Sequence, residues 1–83
     1  MPIFYEDSTV RMEGNCAVEE APALMEWLET AAEPRADLRT STHIHTAIVQ
    51  ALTEAKVRLS AAPDDPFLAR WVSPLLPHAA PAL

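Results

Sequence analysis

Apolar residues along this chain change their spacing several times, and each change predicts a new secondary-structure element. Near the N-terminus, Val10 and Met12 alternate with polar neighbours, which places both on one face of an extended strand. Two short extended runs, residues 3–5 and 8–13, flank an acidic dipeptide. We therefore predict a β-hairpin as the first unit of the fold.

After Gly14, the only glycine, the period becomes helical, with apolar residues every three or four positions over residues 18–32. Pro22 fits a helix only in its first turn, because its missing N–H removes no intrahelical hydrogen bond there. The helix should end before Pro34, since the residue before a proline avoids helical dihedrals. Its glutamates are expected to form a solvated face rather than an acid–base pair.

The middle of the chain predicts a third strand and a second helix. Residues 35–40 are read as a thin strand with Leu38 pointing into the core, and residues 41–45 as a polar loop. The helical period returns near Thr46. Three residues are candidates for the N-cap of this helix: Thr42, His45 and Thr46.

The last third predicts one more strand and one more helix. Residues 56–61 alternate between apolar and polar, as in a strand with one buried face. Asp65 and Pro66 combine a side-chain cap with a proline at the first helical position, which marks a helix start. We expect this third helix to bury five large apolar side chains: Phe67, Leu68, Trp71, Val72 and Leu75.

Together these elements predict an α/β fold. The order β-β-α-β-α-β-α implies a small, mixed, open sheet of about four strands with three helices packed on it. Residues 1–77 are predicted to form a single domain, and residues 78–83, which have no period, are expected to fray.

Composition narrows the classes of function. The 83 residues carry a formal net charge of −6, which repels phosphate backbones and anionic lipid, so we expect no nucleic-acid partner. Nothing approaches the roughly 18 uninterrupted apolar residues of a membrane span. The lone Cys16 is expected to be buried and inert, and the N-terminal residues lack the pattern of a signal peptide, so a cytoplasmic location is expected.

Two blocks of sequence resemble the STAS family, the domain of bacterial anti-sigma factor antagonists. The first is V-R-M-E-G at residues 10–14 followed by A-P-A-L at residues 21–24. The second is D-L-R-T-S-T-H-I-H-T-A at residues 37–47, which is similar to the family run Asp-Leu-Ser-x-x-x-x-x-Asp-Ser-Ser before the second helix. The resemblance covers almost the whole chain and implies a minimal or C-terminally shortened STAS fold. It also implies that the apolar sheet edge left by a missing strand is covered, for example by a second copy.

The resemblance places Thr46 at the regulatory phospho-acceptor position and Asp37 at the strand aspartate. The chain departs from the family pattern next to the acceptor, where His45, Ala47 and Ile48 replace an acid, a serine and a glycine. A hydroxyl at the start of a helix lies among unpaired N–H groups, where a phosphate is tolerated electrostatically. Thr46 is therefore a candidate phosphorylation switch, with a helix cap or a simple partner contact as the alternatives.

The function that the resemblance implies is a regulatory docking protein in bacterial signalling, with an anti-sigma factor or a serine/threonine kinase-like protein as its partner. The alternatives are a constitutive subunit on the ATPase of a lipid-transport complex and a homodimeric scaffold. Six residues are predicted to contact the partner: Thr42, His43, His45, Thr46, Ala47 and Gln50.

Other chemistry has weaker support in the sequence. His43 and His45 share a face in an extended segment, yet two ligands do not make a metal site, so no metal or other cofactor is expected. One of these imidazoles is instead expected to tune partner binding near neutral pH, and an affinity that does not change between about pH 6 and 8 would contradict this. No nucleophile with a matched base and no glycine-rich phosphate loop is recognised, which predicts that the protein is not an enzyme. Trp71 is expected in the core and Trp27 at a half-exposed position.

Overall fold

The computed structural model describes residues 2–78. This part of the chain contains the strands β1 Ile3–Glu6, β2 Thr9–Met12, β3 Gly14–Cys16, β4 Arg35–Asp37, β5 Ser41–Ile44 and β6 Arg58–Ala61. Its α-helices are α1 Ala21–Thr30, α2 Thr46–Glu54 and α3 Pro66–Trp71. One 3₁₀ turn, Val18–Glu20, leads into α1, and another, Ser73–Leu75, follows α3. Within residues 2–78, no helix has the length and apolar character needed to cross a membrane.

Four strands form one mixed sheet in the order β1-β2-β4-β6. β1 and β2 are the predicted antiparallel hairpin, whereas the pairs β2–β4 and β4–β6 are parallel. Parallel neighbours need a crossover connection, which α1 and α2 supply. The predicted α/β class, with three helices and this order of elements, is confirmed.

β3 and β5 form a second, two-stranded parallel sheet that the sequence did not predict. The polar loop expected at residues 41–45 is therefore wrong over Ser41–Ile44. Gly14 adopts a φ of 65°, which redirects the chain after β2, and its N–H donates to the carbonyl oxygen of Thr40 at 2.9 Å. The buried Ser41 hydroxyl donates to the carbonyl oxygen of Met12 at 2.7 Å. These two hydrogen bonds hold β5 beside β3, although β5 lacks an alternating apolar pattern.

One hydrophobic core joins the sheet to the helices. The sheet contributes the buried side chains Ile3, Val10, Met12, Ala36 and Leu59, and the helices contribute Leu24, Ile48 and Leu52. Leu38, placed in the core by the sequence, is fully buried. The other face of the sheet carries mostly polar side chains together with the exposed Phe4, whose ring lies under the Arg11 guanidinium, so this core lies on a single side of the sheet.

The third helix begins as predicted, but three of the five large apolar side chains predicted to be buried are exposed. Asp65 caps it as predicted, because its Oδ2 accepts a hydrogen bond from the Leu68 N–H at 3.1 Å, and Pro66 is its first residue. Two stripes one residue apart run along α3 and the turn that follows. The inner stripe, Leu68, Val72 and Leu76, is buried in the core. The outer stripe, Phe67, Trp71 and Leu75, is 66%, 56% and 55% exposed, so the prediction that these three are core residues is wrong.

The chain returns to the sheet after the second 3₁₀ turn. The Leu59 N–H donates to the carbonyl oxygen of Pro77 at 2.7 Å, and Leu59 forms an isolated parallel bridge with His78. The free edge of β6 is therefore covered at Leu59 by residues 77 and 78. The sequence predicts a frayed tail at residues 78–83. Apart from His78, these residues lie outside the part of the chain that the structure describes.

Candidate functional site

A groove with a volume of about 760 Å³ lies between α2 and α3. Its apolar lining combines Val49 on α2 with both stripes of α3, and β5 contributes Ile44. Its polar lining includes residues of β5 and the exposed positions of α2. We call this feature the α2–α3 groove. Its position follows from the orientation of α3, which buries Leu68 and Val72 in the core and leaves Phe67 and Trp71 at the surface.

The outer stripe makes this groove chemically unusual for a small acidic protein. Phe67 and Trp71 each leave more than half of their surface in water, and such exposure of neighbouring large apolar side chains is typical of binding sites. The Arg70 guanidinium stands 5.2 Å from the centre of the Trp71 ring, a cation–π contact on the same helix. The stripe therefore presents anchors of the residue types that dominate protein interfaces.

Most of the predicted partner-binding residues line this same groove. Thr42, His43, His45, Thr46 and Gln50 all contribute to its surface. Thr42 and His43 are exposed on β5, and Gln50 is exposed on α2, where its Nε2 donates to Glu54 at 3.4 Å. Ala47 is the exception, because it is half-buried in the first turn of α2 and does not line the groove.

His45 is the N-cap of α2, which decides among the three candidates for that position. Its Nδ1 accepts a hydrogen bond from the Ala47 N–H at 3.0 Å. A neutral imidazole that accepts at Nδ1 carries its proton on Nε2. The His45 N–H itself donates to the carbonyl oxygen of Cys16 at 2.9 Å, which fixes the start of α2 to β3.

Thr46 is the first residue of α2 and is exposed on the groove surface. This position lies in the first turn of the helix, where unpaired N–H groups and the helix dipole favour negative charge. Thr46 is therefore accessible to a modifying enzyme and lies where a phosphate is electrostatically tolerated. Asp37, the other residue matched to the STAS pattern, lies away from the groove and accepts a hydrogen bond from the Arg39 N–H at 3.0 Å.

A second set of polar groups, outside the groove lining, surrounds the side chain of Cys16. This thiol is fully buried, as predicted, and burial together with the Glu20 carboxylate raises its pKa from 9.0 to about 11. Burial and the same carboxylate raise the pKa of Tyr5. Glu20 is predicted to lie on a solvated helix face, but its Oε1 is buried without a hydrogen-bond partner among the described residues. The thiol therefore stays protonated, and hence weakly nucleophilic, at neutral pH.

Trp27 is half-buried, as predicted, with its ring centre 5.6 Å from that of Tyr5. Among residues 2–78, no group of three or more His, Cys, Asp or Glu side chains is arranged to hold a metal ion.

Fold and site together define a small mixed α/β domain with an exposed apolar groove between its second and third helices. Comparisons with protein-family models, with curated proteins and with solved structures find no match to this chain.

The outer stripe is the part of the site that the sequence reading missed. The signal was present as two adjacent apolar stripes, 67/71/75 and 68/72/76, which begin in α3 and continue into the 3₁₀ turn after it. A core-facing helix often buries a face this wide, so spacing alone did not show that one stripe stays exposed.

Proposed function

We propose that this protein is a protein-interaction module that acts by docking, as the STAS-like anti-sigma factor antagonists do, and that the α2–α3 groove is its docking surface. The observation that carries the proposal is the meeting of two independent sets of residues. One set was selected from sequence resemblance and includes Thr46 and Gln50, and the other is the exposed outer stripe of α3. A rigid aromatic pair surrounded by hydroxyl, amide and imidazole groups has the composition of an interface core and its polar rim.

The polar groups of the groove suit docking. Nδ1 of His45 already accepts the Ala47 N–H, so this atom is not free to act as a general base. The hydroxyls of Thr42 and Thr46, on β5 and α2, suit recognition through hydrogen bonds. The buried thiol of Cys16 does not line the groove.

Phosphorylation of Thr46 is the regulatory step that we propose for this surface. A phosphate adds about −1.5 to −2 charges and three acceptor oxygens. Placed beside the apolar lining, it would keep water in the groove and oppose the desolvation that docking requires. Docking is therefore expected with unmodified Thr46 and is expected to be lost after phosphorylation.

The test is affinity capture of the full chain from its native cells, with mass spectrometry of both the partners and the Thr46 peptide. Trp71→Ser is captured in parallel, and Met25→Ser is its matched control, because Met25 is 54% exposed on α1, outside the groove. A partner that Trp71→Ser loses and Met25→Ser retains supports the docking surface. A partner retained by Trp71→Ser contradicts it.

The identity of the captured partner distinguishes the two functions that the STAS resemblance implies, a regulatory docking protein and a constitutive subunit of a transport complex. A kinase-like protein or anti-sigma factor, with phosphate on a fraction of the Thr46 peptides, supports the regulatory reading. A transporter ATPase with an unmodified Thr46 peptide would replace it with the constitutive-subunit reading.

A further inference from the structure

The charges around the α2–α3 groove are unevenly distributed. Glu54, in the last turn of α2, is the one carboxylate among the described residues that line the groove, and none of those residues is a lysine or arginine. Arg70 keeps its positive charge while its guanidinium lies over the Trp71 ring, so the positive charge is at the α3 side of the groove and the negative charge is at Glu54 on α2. The chain as a whole carries −6. An apolar surface with a carboxylate at its border, on an acidic protein, is complementary to an apolar surface that carries positive charge.

The shape of the groove favours a helical occupant. The residues of the outer stripe are spaced four apart. Phe67 and Trp71 lie about 6 Å apart along α3 at the rise of an α-helix, and Leu75 follows in the 3₁₀ turn. The facing wall is α2, which presents Thr46, Val49, Gln50 and Thr53 at helical spacing. Helical backbone groups bond within their own helix, so these walls offer side-chain contacts rather than a ladder of backbone donors and acceptors.

We propose that the occupant of the α2–α3 groove is an amphipathic helix of the protein partner. It inserts two apolar side chains, one turn apart, against Phe67 and Trp71 and places a lysine or arginine beside Glu54. This inference rests on the proposed function, in that it names the chemistry of the docking partner. Helix-in-groove recognition reads apolar anchors at i and i+4 in this way, and the flanking charge sets orientation.

Charge also separates this occupant from a second copy of the chain. Two copies would bring together two net charges of −6, including both Glu54 carboxylates, at the surface that has to be desolvated. A basic helix instead gains from the same field. The lysine or arginine of the bound helix would lie beside Glu54, which is eight residues along α2 from Thr46, or about 12 Å. This cation is therefore too distant to pair directly with a phosphate on Thr46.

The experiment compares two fluorescein-labelled 16-residue helical peptides with the same apolar face, two leucines four residues apart, and either lysine or glutamate on the flanks. Binding to the full chain is measured by fluorescence anisotropy at 50 and 200 mM salt. The groove variants are Phe67→Ser and Glu54→Gln. Their controls are Met25→Ser and Glu26→Gln, which make the same kinds of change at exposed positions of α1, outside the groove.

We expect the lysine peptide to bind at least about tenfold more tightly than the glutamate peptide. Phe67→Ser should weaken the lysine peptide by about tenfold or more, as loss of an interface anchor does. Glu54→Gln should weaken it by about threefold and reduce its salt dependence, whereas Glu26→Gln and Met25→Ser should leave it within about twofold.

Several results would overturn the inference. If the two peptides bind equally, charge has no role in recognition. If Glu54→Gln and Glu26→Gln weaken the lysine peptide equally, the attraction is non-specific. A dimer in sedimentation velocity that Phe67→Ser dissociates makes a second copy the occupant. If neither peptide binds while a captured partner still requires Trp71, this inference fails and the proposed function stands. If the Trp71→Ser variant also retains the captured partner, both the inference and the proposed function fail.

Discussion

The backbone N–H of Ala47 donates to Nδ1 of His45 at 3.0 Å, so a histidine rather than a threonine caps the second helix. This hydrogen bond satisfies one of the N–H groups that a helix leaves unpaired at its start. It also fixes the His45 ring beside Thr46, on the surface of the α2–α3 groove. The cap therefore links the stability of α2 to the shape of the proposed docking surface.

The cap predicts a specific pattern of substitution at His45. His45→Ala should lower the free energy of unfolding by about 1 kcal/mol, because the Ala47 N–H loses its acceptor. His45→Asn should stay within about 0.5 kcal/mol of wild type, since asparagine is itself a favourable N-cap. Urea unfolding followed by circular dichroism measures both values. Equal destabilisation by the two substitutions would show that the ring packs rather than caps.

Exposure predicts opposite outcomes for the two stripes of the third helix. Leu68→Ala should destabilise the fold by about 2–5 kcal/mol, because it opens a cavity in the core. Trp71→Ser should cost at most about 1 kcal/mol, since most of this side chain is already in water. Thermal and urea unfolding of both variants test this difference. A large loss for Trp71→Ser would mean that the outer stripe is not a free surface.

The proposed switch predicts that Thr46→Glu weakens binding of the captured partner by about tenfold or more, because a carboxylate is brought into the desolvated groove. Stability should be unchanged or slightly higher, since the first turn of a helix favours negative charge. Isothermal titration calorimetry measures the affinity. Thr30→Glu, which adds the same charge at an exposed position of α1, is the control and should bind normally. An unchanged affinity for Thr46→Glu would argue against the switch.

The buried thiol predicts a loss of stability in alkaline solution. The pKa of Cys16 is raised to about 11 in the folded protein, so the folded state holds the thiol proton more tightly than the unfolded state. The resulting stabilisation is complete below pH 9.0, the ordinary value, and disappears as the pH rises toward about 11. It amounts to about 2–3 kcal/mol for a shift of this size.

Urea unfolding at several pH values between 8 and about 11 tests this prediction, with Cys16→Val as the control that removes the ionising group. The variant should have a flatter profile than wild type. A slope should remain, because the pKa of Tyr5 is also raised by burial and by Glu20. Identical profiles for the variant and the wild type would show that Cys16 does not ionise differently in the two states.

Local patterns were sufficient for the elements whose residues interact with near neighbours. The hairpin of β1 and β2, the end of α1 before Pro34, and the Asp65 cap of α3 were all predicted from short-range signals. Such signals depend on dihedral preferences and on nearby hydrogen bonds, which remain the same whatever the rest of the chain does.

Three features were decided only by contacts between distant parts of the chain. β5 forms because the buried Ser41 hydroxyl finds the Met12 carbonyl, twenty-nine residues away in the sequence, at 2.7 Å. The sheet packs against the inner stripe of α3 and leaves the outer stripe in water. The α2–α3 groove exists because of that choice, so its apolar and polar residues, far apart in sequence, meet only in the folded protein. Residue spacing shows that a helix has two apolar stripes, but the energy of burial against the assembled core decides which of them faces inward.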